Sequence, residues 1–131
     1  MTGRIVKERV FPYPPERLWT ALTDSGALAD WLMENDFQPV LNREFTFRTR
    51  PAPGFDGIVR CRVTQIDAPR RLVYTWGTGA SETLVTWTLE PVPGGTRLKL
   101  EHSGLKGLRG LFMKRQQTVQ YRWSWANDLR N

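Results

Sequence analysis

Very few residues in this sequence have the type and spacing that chemistry requires. The single histidine, His102, sits where Leu98, Leu100 and His102 alternate with Lys99 and Glu101. Period-two alternation puts it on the apolar side of a strand. An imidazole there is expected to be a hydrogen-bonded core group, with proton transfer as the alternative. The single cysteine, Cys61, is remote from His102 in sequence, so the two do not form a zinc site. Asp24, Asp30, Glu34 and Asp36 lack the spacing of a calcium loop. Gly77-Thr78-Gly79 is too short for a phosphate loop and reads as a hairpin turn. No nucleophile–base pair is readable, so binding is favoured over catalysis. No metal or cofactor is expected.

Arg115 and Arg122 are the less ordinary feature. They lie nearly two helical turns apart on either side of Val119, inside an apolar arc. Inward arginines are costly unless paired. Three fates are open: reaching the rim, pairing with an inward acid such as Glu8, or meeting an acidic group on a ligand.

The elements that must position these residues follow from pattern. Residues 4–11 read as a strand, which Pro12, Pro14 and Pro15 end. Pro15 can open a helix carrying Leu18, Trp19 and Leu22. Thr23-Asp24-Ser25-Gly26 ends it, and Ser25 is the expected cap of a second short helix with Leu28, Trp31 and Leu32. Alternation then predicts successive strands through Phe45 and Phe47, Val59 to Val63, Leu72 to Trp76, Val85 to Leu89, and Leu98 to His102. Short turns such as Pro93-Gly94-Gly95 imply sequential antiparallel hairpins. Residues 108–131 contain no proline and read as a long amphipathic helix, with Leu108, Phe112, Val119, Trp123 and Ala126 on one face. The inward face of the first strand is undecided, because Val6-Glu8-Val10 and Ile5-Lys7-Arg9-Phe11 both contain charge.

An α+β domain follows: a curved antiparallel sheet of about six or seven strands around a long C-terminal helix, with two short helices after the first strand. At 131 residues, one domain spanning 1–131 is expected. The net charge of +6 is scattered over several segments, so nucleic acid is not an expected partner. No apolar run reaches the ~20 residues that span a bilayer, and residues 1–4 lack the apolar stretch of a signal peptide. A lone cysteine fits a reducing, cytoplasmic setting.

The segment Glu8-Arg9-Val10-Phe11-Pro12-Tyr13-Pro14-Pro15-Glu16-Arg17-Leu18-Trp19, then Leu22-Thr23-Asp24 and Trp31, resembles the activator of Hsp90 ATPase homologue 1-like family. That family belongs to the START-like (SRPBCC) helix-grip superfamily. Arg71 to Trp76, Val85-Thr86-Trp87, Gly95 to Leu98, His102-Ser103-Gly104 and the Trp125–Leu129 spacing are similar in turn. The family's Gly-Gly pair before the third strand is replaced by Asn42-Arg43. Relatives also continue the last helix beyond the position of Asn131, so the far end of the cavity is expected to be less closed.

The resemblance implies a helix-grip fold with a cavity for small molecules. The residues add an aromatic inner surface, since six tryptophans are many for a domain of this size. The expected ligand is apolar or amphiphilic, with an anionic group an open option. Its expected contacts are Trp19, Trp31, Phe45, Phe47, Tyr74, Trp76, Trp87, His102, Arg115, Val119, Arg122 and Trp123. A cyclase, aromatase or lyase using the same cavity is one alternative, and a chaperone-associated interaction module is another. Hsp90 itself is not expected as a partner, because family names transfer function poorly. A homodimer is an open option, with Tyr121 a candidate contact.

Overall fold

The computed structural model describes residues 2–77 and 82–106. The predicted C-terminal helix, with Arg115, Val119, Tyr121, Arg122 and Trp123, lies outside the described residues. The described chain runs β1 (Thr2–Phe11), α1 (Pro15–Thr23), α2 (Ser25–Trp31), β2 (Glu34–Asn35), β3 (Glu44–Arg48), β4 (Ile58–Asp67), β5 (Arg71–Trp76), β6 (Thr83–Val92) and β7 (Gly95–Lys106). The strands make one antiparallel seven-stranded sheet in the order β1-β7-β6-β5-β4-β3-β2. From β2 to β7 consecutive strands are neighbours, and β7 also pairs with β1. The sheet curls into a half-barrel, which with its two helices is the helix-grip arrangement expected from sequence.

Local chemistry sets the helices. Pro15 opens α1, where its missing N–H costs nothing, and Leu18 and Leu22 turn one face into the core. α1 packs on β6 and β7, and α2 on β2. A single residue, Asp24, separates the two helices and serves both. Its N–H bonds the Thr20 carbonyl at the end of α1, while its carboxylate accepts from the Ala27 N–H at 2.9 Å. The cap of α2 is therefore Asp24, not the expected Ser25. The Ser25 hydroxyl instead lies 3.0 Å from the Asn35 carbonyl and 2.9 Å from its side-chain oxygen, tying α2 to β2. Replacing Asp24 by alanine is expected to lower stability by about 1 kcal/mol, read as a fall in the urea midpoint without a change in slope.

The structure also settles the facing of β1. Ile5 and Phe11 are buried, while Val6 and Val10 are 44% and 50% exposed. Ile5-Lys7-Arg9-Phe11 is thus the inward row. Glu8 faces outward, where its carboxylate meets the Arg97 guanidinium at 3.0 Å. This removes Glu8 as an inward partner for Arg115 or Arg122. Arg4–Glu101, Arg60–Asp56 and Arg62–Glu44 also pair, so acids are interspersed with the basic residues of the outer face. Such exposed pairs add little stability.

Further local departures have simple causes. β2 is only two residues long, too short to show alternation. Val73 sits on the outer side yet is 4% exposed, because it is central in the sheet between Gln65 and Thr86. A register shift between Val63 and Gln65 passes the inward position from Val63 to Ile66. Asn42 adopts φ 68°. Asparagine tolerates that left-handed conformation better than most residues. Its N–H bonds the Val63 carbonyl at 2.8 Å, holding the approach to β3 against β4.

Candidate functional site

The inward face of the sheet brings the sequence-predicted aromatic residues together. Trp31, Phe45, Phe47, Tyr74, Trp76, Trp87 and His102 are all 4% exposed or less. Their rings meet mostly edge to face, which suits the ring quadrupoles. Phe45 touches Tyr74 at 5.1 Å and Phe47 at 5.4 Å between centroids. Phe47 continues to Trp76 at 5.2 Å, and Trp76 to His102 at 5.6 Å. Trp87 meets Trp31 of α2 at 5.7 Å. Trp19 is half-buried and packs against this core. Sequence reasoning missed Phe37, which meets Phe45 at 4.9 Å. It follows β2 outside any periodic run, so nothing in the pattern singled it out.

Two of the indoles on this wall and the Tyr74 hydroxyl are engaged inside the protein. The Trp87 indole donates to the Tyr74 hydroxyl at 3.0 Å, and the Trp31 indole to the Ala21 carbonyl at 2.8 Å. The face is therefore carbon-rich despite its tryptophans and tyrosine.

His102 is fully buried on β7, and Thr83 on β6 sits beside it. The Thr83 hydroxyl is 3.2 Å from the Trp76 carbonyl and 2.6 Å from His102 Nε2. A carbonyl can only accept, and a hydroxyl has one hydrogen. The hydroxyl donates to Trp76 and accepts from Nε2–H, which places the ring proton on Nε2. Thr83 was not anticipated as a partner; it stands opposite Trp76 in the β5–β6 pairing. The inward positions of β1 and β3–β7 among the described residues carry no carboxylate. Among the described residues no three His, Cys, Asp or Glu side chains group to hold a metal ion.

Cys61 is buried on β4, and removal of its surroundings from water pushes the thiol pKa up, against a smaller opposing effect of the Gly77 backbone. A buried protonated thiol is inert. At pH 8 its reaction with a disulfide reagent is expected to be at least about a hundredfold slower in the folded protein than in denaturant. An equal rate would place the thiol at the surface. The sign is plain: the folded state holds this proton longer than the unfolded chain does. The resulting stability is complete below the ordinary thiol pKa of 9.0 and is lost as pH rises above it.

A depression of about 480 Å³ lies beside the β3–β4–β5 edge, lined by Asp36, Glu44, Thr46, Arg60, Arg62 and Glu82 among others. Most of its charges are engaged locally: Arg62 with Glu44, Arg60 with Asp56, and Asp36 with the Thr46 N–H and hydroxyl. It is a wet, self-paired surface, and Phe45 is the one predicted site residue along it.

The whole arrangement can be set beside known proteins. The family model described as activator of Hsp90 ATPase homolog 1-like protein matches residues 12–127. The chain belongs to this family. A crystal structure from Mesorhizobium loti is 32% identical, covering 95% of this chain and 89% of its own, with a TM-score of 0.74. A protein of the dynemicin biosynthetic locus shares the fold at 22% identity and a TM-score of 0.78, covering 98% of this chain and 47% of its own. The Aha1 dimer from Colwellia psychrerythraea shares it at 16% identity and a TM-score of 0.70, covering 93% of this chain and 96% of its own. Among curated proteins none matches significantly. In this Hsp90-activator-like chain, Arg71 to Trp76 forms β5 and Val85 to Trp87 lies within β6. No helix among the described residues is long and apolar enough to cross a membrane.

Proposed function

We propose that this protein binds a hydrophobic or amphiphilic small molecule, without catalysis, between the inward face of the sheet and the segment 108–131. The observation that carries this is the carbon-rich aromatic wall of a curved sheet, on which the Trp31 and Trp87 indoles and the Tyr74 hydroxyl bond inside the protein. A surface of that kind has little to offer a polar substrate and much to offer an apolar one. On this reading Trp19, Trp76 and His102 sit along the wall, and Arg115, Val119, Arg122 and Trp123 approach from the C-terminal segment. The likeness in fold to a protein from a biosynthetic locus accords with small organic molecules as ligands. A reducing, cytoplasmic setting and an option of pairing two copies, as in the Colwellia relative, belong to the same proposal.

The test uses a neutral fluorescent probe, 1-N-phenylnaphthylamine, with energy transfer from tryptophan. Saturable binding at micromolar concentration, reversed by apolar competitors, is the expected result. Absence of saturable binding across probes of several sizes would remove the proposal.

A further inference from the structure

We infer that the ligand carries an anionic group, and that Lys7 and Arg9 on β1 receive it. The inference deepens the binding proposal above and rests on it. Lys7 and Arg9 alternate with Ile5 and Phe11, so both leave the strand on the buried side of the sheet. Both are half-buried. Their register partners on β7 are Leu100 and Leu98, fully buried members of the inward face, and Ile5 is paired with His102. Two cations therefore stand at one margin of an apolar wall.

Among the described residues, no acid pairs with either of them. The described ion pairs involve Arg4, Arg60, Arg62 and Arg97, all of the outer face or its loops. Glu8, the nearest acid in sequence, points outward to Arg97. Glu16, Asp24, Asp30, Glu34 and Asp36, from the helices and β2 region, are exposed. Residues 107–131 add Arg109, Lys114, Arg115, Arg122 and Arg130 against a single acid, Asp128.

The electrostatic consequence is direct. An uncompensated cation beside low-dielectric surface is held at a cost, and an entering anion relieves it. The Arg9 guanidinium lies 5.6 Å from the centre of the Phe11 ring, close enough for the ring to steady it. That contact leaves its planar N–H edge able to grip a carboxylate in two parallel bonds, with the Lys7 ammonium one strand repeat away. The chemical class is an amphiphile: an apolar body against the aromatic wall and a carboxylate or similar anion at the β1 margin.

The experiment compares decanoate with 1-decanol, below micellar concentrations, as competitors of 1-N-phenylnaphthylamine. It uses the full chain and a Lys7→Gln/Arg9→Gln variant whose fold is checked by its thermal melt. Decanoate is expected to bind at least about tenfold more tightly than decanol, an advantage that weakens as salt is raised. In the variant the advantage falls to about twofold or less, with decanol binding unchanged. If decanol binds and decanoate is no tighter, or the advantage survives the double substitution, the anion inference is overturned while the cavity proposal stands. If neither competes and the probe itself does not bind, the cavity proposal fails and takes this inference with it.

Discussion

Truncating Trp87 to alanine is expected to lower the unfolding free energy by about 3–5 kcal/mol. The side chain is fully buried at the centre of the sheet. Its ring rests against Trp31 at 5.7 Å, and its indole N–H supplies a hydrogen bond to the Tyr74 hydroxyl at 3.0 Å. Alanine removes the contact with α2, leaves a void that strands β5 to β7 cannot collapse into, and deprives the hydroxyl of that donor. A loss of this size is a large share of the stability of an ordinary domain. Urea unfolding measures it, and Trp87→Phe separates the two contributions. Phenylalanine keeps most of the carbon and is expected to cost about half as much or less. A loss below about 1 kcal/mol for the alanine variant would mean that the wall is not packed as described.

Gly95→Ala is the second large effect, and its cause is backbone rather than side chain. A β-carbon at Gly95 would lie 1.9 Å from the Phe11 carbonyl oxygen and 2.9 Å from its carbon. Neither atom belongs to a side chain that can rotate away. The paired ends of β1 and β7 would have to part, pulling Phe11 out of the core. A loss of about 3 kcal/mol is expected, at the upper end for overpacking, because a ladder is broken as well. Gly94→Ala is the control. Gly94 has φ 84° in the turn and nothing within 4 Å of its would-be β-carbon, so only conformational strain of about 1–2 kcal/mol applies. Equal losses at the two positions would deny the close approach at Gly95. The same displacement would shift Lys7 and Arg9 relative to β7, so Gly95→Ala should also weaken anionic ligands more than neutral ones.

Much of this was legible in the sequence because the sheet is buried on one side. Tyr74 and Trp76, or Leu98, Leu100 and His102, announce their facing through period two. The same rule was silent on β1, where charges occupy both faces, and the side carrying Ile5 and Phe11 was decided only by packing. That silence concealed Lys7 and Arg9, the cations now placed at the candidate site. Arg115 and Arg122 drew notice instead, since a charge inside an apolar helical arc stands out and a charge on an edge strand does not. Contacts across long sequence separations were out of reach: Thr83 beside His102, Phe37 against Phe45, and the Glu8–Arg97 pair that turned Glu8 outward. Asp24 was read as a helix stop, and its second role as a cap appeared only once it stood as the one residue between the two helices.

The central claim is that an apolar or amphiphilic molecule sits on the inward face of the sheet. The most direct measurement is a titration of the ¹⁵N-labelled protein with decanoate, following backbone amides and tryptophan indole signals. The account predicts saturable shifts of the Trp19 and Trp76 indoles and of the amides of Lys7, Arg9, Leu98 and Leu100. Signals of the outer-face margin, such as Asp56, Arg60 and Arg62, should stay in place. Shifts confined to that outer margin and its charged depression, or no saturable shift at all, would contradict it.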